Sequence, residues 1–342
     1  MTAVFCENAA DRKADTWAKQ LGRFDRLEFA VSDAAKGIAK AVADIAGARP
    51  DDPEAPTLEH GLDVFHTAME ARRVLVRSWL RAETAWERAE AAESRVAESK
   101  RQGVDARGVA QTARAAWDRA IGSLEQAERS ESAWGRCRAA LQVFRPDGHL
   151  NDRTHARVEI TAAVLDLSGP DWSKVRNFLN DGRSLSFLDR MHRRLESAEP
   201  RSDWREAMGW RWWLRHHHPS SSNELIGVVR AVGRDRAVDD SERTCYEAVA
   251  AVLESTVRAS SAVECMNSVL RMQQSRHERM TQAMLDLKRL YWNSHVLGSG
   301  PRKDACPYQH LGLPLTSFDF WVLLQADPER LTQELSGERD AP

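Results

Sequence analysis

Two spacings of apolar residues divide the chain into a short N-terminal part and a long remainder. Near the start, "TAVFCEN" (2–8), "LEFAVSD" (27–33) and "HGLDVFH" (60–66) each predict a short strand. Between them, "ADRKADTWAKQLGRF" and "AAKGIAKAVADIAG" have the spacing of amphipathic helices. Strands that alternate with helices of this length predict a mixed α/β layer.

After residue 66 the strand-like runs stop, and segments rich in Ala, Glu and Arg begin. Residues 67–100 and 105–143 are long helical candidates, with Gly103 at the break between them. In the first segment, apolar residues recur at alternate spacings of four and three; they are Leu75, Trp79, Ala82, Trp86 and Ala89. This spacing is typical of a packing seam, and it predicts a long antiparallel helical hairpin. Trp117 and Trp134 of the return helix are expected to fill the same seam.

Further helices are predicted along the next part of the chain. The segments are "PDWSKVRNFLN", which starts with Pro170, "SFLDRMHRRLESA" and "DWREAMGWRWWLRHH". His216, His217 and His218 follow one another, and consecutive histidines on a helix cannot all face one ion. We therefore favour a loop or helix end over a metal site there.

Composition excludes several classes of protein. A chain of 342 residues with 42% hydrophobic residues can bury a sizeable core. No window approaches 18 uninterrupted apolar residues, and the N-terminus lacks a signal-peptide pattern, so a soluble cytoplasmic protein without membrane contact is expected. The five cysteines include no CxxC pair, which argues against a disulfide framework or a zinc site.

Charge is balanced overall but not locally. The formal net charge is -2, whereas residues 258–303 carry eight Lys and Arg against three acidic residues, a local charge of about +5. Tyr291 and Trp292 are interleaved with this basic segment. Charge alone leaves two interpretations open, a nucleic-acid surface or a solvated pair of amphipathic helices.

Two carboxylates have a spacing that indicates chemistry. Asp33 ends a predicted strand, and Glu264 stands near a predicted helix start in "SSAVECMN", after the intervening helical block. Carboxylates at a strand end and on a flanking helix can share divalent ions for phosphoryl transfer. Each residue also has a structural interpretation, because Asp33 can cap the next helix and Ser261 with Glu264 has the spacing of a capping box.

Three segments resemble the later part of a DDE-type transposase of a bacterial insertion sequence: "SDAAKGIAKAV", "LDVFHT" and "SSAVECMNSVLRMQQSRHERMTQAMLDLKRLYWN". The resemblance implies a partial ribonuclease H-like α/β layer, interrupted by a large helical insertion with the long hairpin, in a predominantly helical chain. The implied parts are 1–66 (partial ribonuclease H-like), 67–258 (helical insertion), 259–300 (catalytic-Glu and basic helices) and 301–342 (C-terminal tail).

The resemblance also implies roles for individual residues. Asp33 matches the second catalytic Asp and Glu264 the catalytic Glu, and both would bind Mg²⁺ or Mn²⁺. Asp63 and His66 would line the site, and Asn267 would orient a metal-bound water or a phosphate. The residues expected to contact DNA phosphates are Arg271, Arg276, Arg279, Lys288 and Arg289.

The family pattern is incomplete here. Only about 30 residues precede Asp33, which leaves no room for the first two strands and the first catalytic Asp. Taking Asp33 and Asp63 as the first and second Asp is disfavoured, because a single helix separates them. The chain is therefore expected to be an N-terminally truncated or split transposase, inactive alone, with element ends and target DNA as ligands and a second copy or an upstream fragment as protein partner.

The alternative is a helical DNA-binding, regulatory or scaffold protein without catalysis. An upstream coding segment in another frame, carrying an Asp on a strand, would favour the broken enzyme.

Overall fold

The computed structural model describes residues 11, 13–24, 26–33, 35–49, 57–216, 240–258, 281–298 and 303–336. The chain forms two compact units. One is Trp17–Ser260, and the other combines Met1–Thr16 with Ser261–Pro342.

The first part of the chain contains a βαβ arrangement, preceded by helix α1 (Ala14–Leu21). Strand β1 (Phe29–Ser32) and strand β2 (Glu59–Leu62) are parallel and are connected by helix α2 (Lys36–Ala48). The strand at 27–33 and the helix that follows it are confirmed.

The strand expected at 60–66 is confirmed only in its first half. β2 ends at Leu62, and helix α3 (Val64–Arg101) begins two residues later. The physical reason is Asp63, whose carboxylate caps the first turn of α3 and thereby stops the strand. The strand expected at 2–8 lies outside the described residues.

The long antiparallel hairpin is confirmed. α3 turns at Gly103, which has a φ of 70°, into α4 (Arg107–Ala140). At its far end the seam consists of small residues; these are Ala89, Ala92, Val96, Ala113, Ala116 and Ala120. Trp134 is buried nearer the sheet. Trp86 is 39% exposed and meets Trp117, which packs against the small-residue seam, edge-on with ring centroids 4.9 Å apart.

The other helices in the described part of this unit complete its core. They are α5 (Arg153–Val164), α6 (Ser173–Asn180), α7 (Ser186–Ala198), α8 (Ser202–His216) and α9 (Asp240–Glu254). Pro170 starts a 3-10 turn before α6, as predicted, and a second 3-10 turn, Gly182–Leu185, precedes α7.

Strand β2 and the helices share one hydrophobic core, whereas Ala30 of β1 and Val42 of α2 form a separate small cluster with Leu58. Leu62 of β2 belongs to the same buried cluster as Val74 of α3, Ile160 of α5 and Leu188 of α7. Among the described residues β1 pairs only with β2, and a two-stranded sheet is marginal in isolation. The shared core supports it. The predicted domain boundaries are placed where the secondary structure changes. The packing of the core does not test them, so they stay a prediction.

The second unit contains helices α10 (Gln282–Ser294), α11 (Pro307–His310), α12 (Phe320–Gln325) and α13 (Pro328–Ser336). α10 contacts both α11 and α12. None of the helices in the described ranges has the length and apolar character needed to cross a membrane.

Candidate functional site at the carboxyl end of the sheet

The structure brings Asp33 and Asp63 to one edge of the sheet. Ser32 and Leu62 are paired across the two strands, so the next residue of each strand is an aspartate at the same end. The Asp63 amide donates a hydrogen bond of 2.8 Å to the Ser32 carbonyl oxygen. Sequence patterns could suggest this arrangement because parallel strands place their carboxyl ends together.

The two aspartates differ in their surroundings. Asp63 is 2% exposed, and its Oδ1 accepts hydrogen bonds from the amides of Phe65 (2.8 Å) and His66 (3.2 Å). Asp33 is exposed, and its Oδ1 accepts one bond of 3.2 Å from the Ala35 amide. Asp63 is therefore a buried helix cap, whereas Asp33 offers an accessible carboxylate.

The chain returns to this edge at Arg258. The Val64 amide donates a hydrogen bond of 3.0 Å to the Arg258 carbonyl oxygen. The Arg258 guanidinium donates to the carbonyl oxygen of Leu141 (3.1 Å) and to Oε1 of Gln142 (2.6 Å). Burial lowers the pKa of Arg258. Although Arg258 belongs to the basic segment, it is half-buried, and these bonds hold its guanidinium against the protein.

A polar chain that the sequence did not reveal lies under the same edge. His60 Nδ1 is 3.1 Å from an Arg183 guanidinium nitrogen, and His60 Nε2 is 2.8 Å from Ser32 Oγ. Arg183 can only donate, so Nδ1 accepts and Nε2 carries the proton. The Ser32 hydroxyl in turn donates to the Asp33 carbonyl oxygen at 2.8 Å.

This tautomer decides what the Ser32 and His60 pair can do. Because His60 donates to Ser32, it cannot take the hydroxyl proton, and the pair is not an activated nucleophile. Burial, followed by the charge of Arg183, lowers the pKa of His60. Arg183 is itself held by two bonds to Asp181, of 3.0 and 2.7 Å, which lower the pKa of Asp181 and raise that of Arg183. This series of hydrogen bonds, from Asp181 through Arg183 and His60 to Ser32, holds the two strands together.

Ion pairs from α7 hold the opposite end of the sheet. Arg190 pairs with Glu28 and Arg193 with Glu59, each at 2.5 Å. The Arg190 guanidinium also lies 5.3 Å from the centre of the Phe29 ring. Partly exposed pairs of this kind contribute little individually, but they place α7 across both strands.

Several predicted site residues lie outside the described residues; they are Glu264, Asn267, Arg271, Arg276 and Arg279. The other predicted residues are described. His66 is exposed on the first turn of α3, and Lys288 and Arg289 lie on α10, where Arg289 pairs with Asp286 at 3.3 Å.

Within the described part of the chain, no group of three or more His, Cys, Asp or Glu side chains could hold a metal ion. Asp33 fits one ligand position, as an exposed carboxylate at a strand end. His216 ends α8, where its Nδ1 is 2.8 Å from the Trp212 carbonyl oxygen and its ring stacks on Trp212. His217 and His218 lie outside the described residues, so for them the predicted loop or helix end stays a prediction.

Comparison of the chain with protein family models, with curated proteins and with solved structures finds no match. The resemblance to DDE-type transposases therefore rests on the quoted motifs.

Proposed function

We propose that this chain carries part of the catalytic fold of a DDE-type transposase, with Asp33 and Glu264 as two of its metal-binding carboxylates. The observation that carries the proposal is the hydrogen bond between Val64 and Arg258. It brings the end of the helical block back to the sheet edge that bears Asp33. Glu264 follows Arg258 by six residues, a contour length of at most about 20 Å.

In this proposal the chain's own residues bind the divalent cations and the DNA and orient the reacting groups. Asp33 and Glu264 hold divalent cations, which supply activation of the attacking oxygen and stabilisation of the leaving oxygen in phosphodiester chemistry. Asn267 lies one helical turn after Glu264 if the segment is helical, and it orients a water or a phosphate. The basic residues from Arg271 to Arg289 contact DNA phosphates and give affinity that is independent of sequence and sensitive to salt.

The chain alone binds DNA without cutting it. Two divalent ions bring four positive charges to a site in which Asp33 and Glu264 supply only two negative ones. The third carboxylate of the family pattern has no assigned residue within these 342 positions.

Supercoiled plasmid nicking tests this proposal. The chain is extended at its N-terminus with the peptide that the upstream DNA encodes, in the frame that supplies a strand-borne Asp. We expect Mg²⁺-dependent nicking by the extended chain and none by the present chain. Glu264→Gln and Asp33→Asn should abolish nicking, whereas Asp105→Asn, at an exposed turn of the hairpin, should not.

Two results would overturn the proposal. The first is nicking that survives both site substitutions. The second is upstream DNA that encodes no such segment, together with a chain that binds DNA but never cuts it, which would establish the non-catalytic DNA-binding alternative.

A further inference from the structure

The second unit contains an aromatic cleft with no role in the chemistry above. Its volume is about 480 Å³, within the usual range for small-molecule sites. Three of its rings are Tyr291 of α10 and Phe320 and Trp321 of α12, and its polar groups include His295, Gln309 and Asp319.

Phe320 meets Tyr291 and Trp321 edge-on, while Tyr291 stacks on His295 with ring centroids 5.5 Å apart at 30°. Tyr291 and Phe320 have centroids 5.4 Å apart at 80°, and Phe320 and Trp321 are 5.0 Å apart at 71°. Trp321 is 64% exposed, far more than a tryptophan that serves only a core. Nearly perpendicular contacts fix the rings and leave room for a flat guest to stack.

We propose that this cleft takes an unpaired nucleobase, stacked on Trp321, with Lys288 binding the adjoining phosphate. The inference rests on the proposed DNA function and names the form of DNA that the second unit recognises. Base stacking on aromatic side chains tolerates any sequence, because every base has a π face.

A lysine beside the cleft, outside its lining, can bind a nucleotide phosphate. Lys288 lies one turn before Tyr291 on the same side of α10, about 4.5 Å along the axis, and has no ion pair among the described residues. Asp319 is the only carboxylate among the residues that line the cleft as described, and its Oδ1 already accepts from the amides of Trp321 (2.9 Å) and Val322 (3.0 Å).

Gln309 supplies a group that can meet a base edge. Its Oε1 accepts a hydrogen bond of 2.8 Å from the Cys306 amide. The side-chain NH₂ group is therefore what Gln309 offers to the cleft, and it suits the carbonyl oxygens and ring nitrogens of nucleobases.

Fluorescence anisotropy with a labelled oligothymidylate tests the inference, with an abasic oligonucleotide of equal length as the matched ligand. We expect the full chain to bind the oligothymidylate more tightly. Trp321→Ala should weaken that binding by roughly 5- to 150-fold, the range for one lost base–aromatic stack, and should leave abasic and duplex binding unchanged. Trp321→Phe should recover most of the affinity.

Trp210→Ala is the matched control, because Trp210 is a partly exposed tryptophan of the other unit, and it should have no effect. Lys288→Ala should weaken binding of all three ligands. Circular dichroism melting checks that the variants fold. We expect Trp321→Ala to fold, because Trp321 is largely exposed.

Equal affinity for the abasic ligand, or no effect of Trp321→Ala, would overturn the base site. Tight, Trp321-dependent binding of tetramethylammonium without base binding would replace it with a cation site. Failure of this inference can be told apart from failure of the proposed function. Nicking by the extended chain without a preference for bases would remove only this inference. Base-dependent binding without nicking would remove the catalytic function and leave a single-strand-binding protein.

Discussion

The main-chain amide of Val64 donates a hydrogen bond to the carbonyl oxygen of Arg258, which joins the start of the long helical block to its end. The helices between these residues leave the sheet edge and return to it. The side chain of Arg258 anchors that return just after the end of α4, through Leu141 and Gln142. The half-buried guanidinium of Arg258 therefore fixes the returning chain beside this end of the sheet.

Arg258→Met should lower the free energy of unfolding by about 1–3 kcal/mol, because two partly buried acceptors lose their charged donor. Urea denaturation measures the change. Arg114→Met, at an exposed position of α4, is the control and should stay within about 0.5 kcal/mol of the parent chain. Equal effects of the two substitutions would show that the Arg258 contacts do not stabilise the fold.

Gly61→Ala should destabilise the sheet. A Cβ atom at Gly61 would lie 2.6 Å from Cζ of the Phe29 ring, so the ring must shift, at a cost of about 1–3 kcal/mol. Gly122→Ala is the matched change on α4, where a Cβ meets nothing within 4 Å, and it should stabilise by about 0.5–1 kcal/mol. Thermal unfolding of both variants measures these opposite changes in stability. If Gly61→Ala has no effect on stability, the Phe29 ring does not lie against Gly61.

Stability should fall below neutral pH because of His60. Its folded pKa lies below the ordinary value of 6.5, so the unfolded chain binds the proton more readily. The stabilisation is complete above about pH 6.5 and is lost as the pH falls through the folded pKa. The urea midpoint of the parent chain should drop between pH 7.5 and pH 5 more than that of His60→Gln, whose amide can still donate to Ser32. Parallel pH profiles would mean that His60 has the same pKa in the folded and the unfolded chain.

Lys288→Ala should reduce the slope of log affinity against log salt concentration by about 0.9 for duplex DNA, the effect of one lost phosphate contact. Arg289→Ala should have a smaller effect, because Asp286 already pairs with Arg289. Lys100→Ala, at the tip of the hairpin, serves as the control and should leave the slope unchanged. If Lys288→Ala behaves like Lys100→Ala, α10 does not contact the DNA backbone.

The hairpin could be predicted from sequence because its signal is local. The spacing from Leu75 to Ala89 and the break at Gly103 specify both helices and their turn. The predicted end of β2 is wrong by four residues. Val64 and Phe65 favour strands in isolation, and the helix cap at Asp63 overrides that preference.

The polar chain under the sheet could not be predicted in the same way. His60 and Arg183 are 123 positions apart, and neither stands in a motif that indicates the other. Arg190 and Glu28 are separated by 162 positions and meet only because α7 packs across the strands. The place of Asp33 directly after strand β1 could be predicted, because it depends on local pattern alone.

Iron-directed cleavage is the most direct test of the claim that Asp33 and Glu264 share a metal site. Fe²⁺ replaces Mg²⁺, ascorbate and peroxide generate hydroxyl radicals at the bound ion, and mass spectrometry maps the cuts in the chain. We expect cuts close to residue 33 and close to residue 264, with both sets lost in Asp33→Asn and in Glu264→Gln and kept in Asp105→Asn. Cuts near residue 33 that persist in Glu264→Gln, or cuts at neither position, would contradict a shared site.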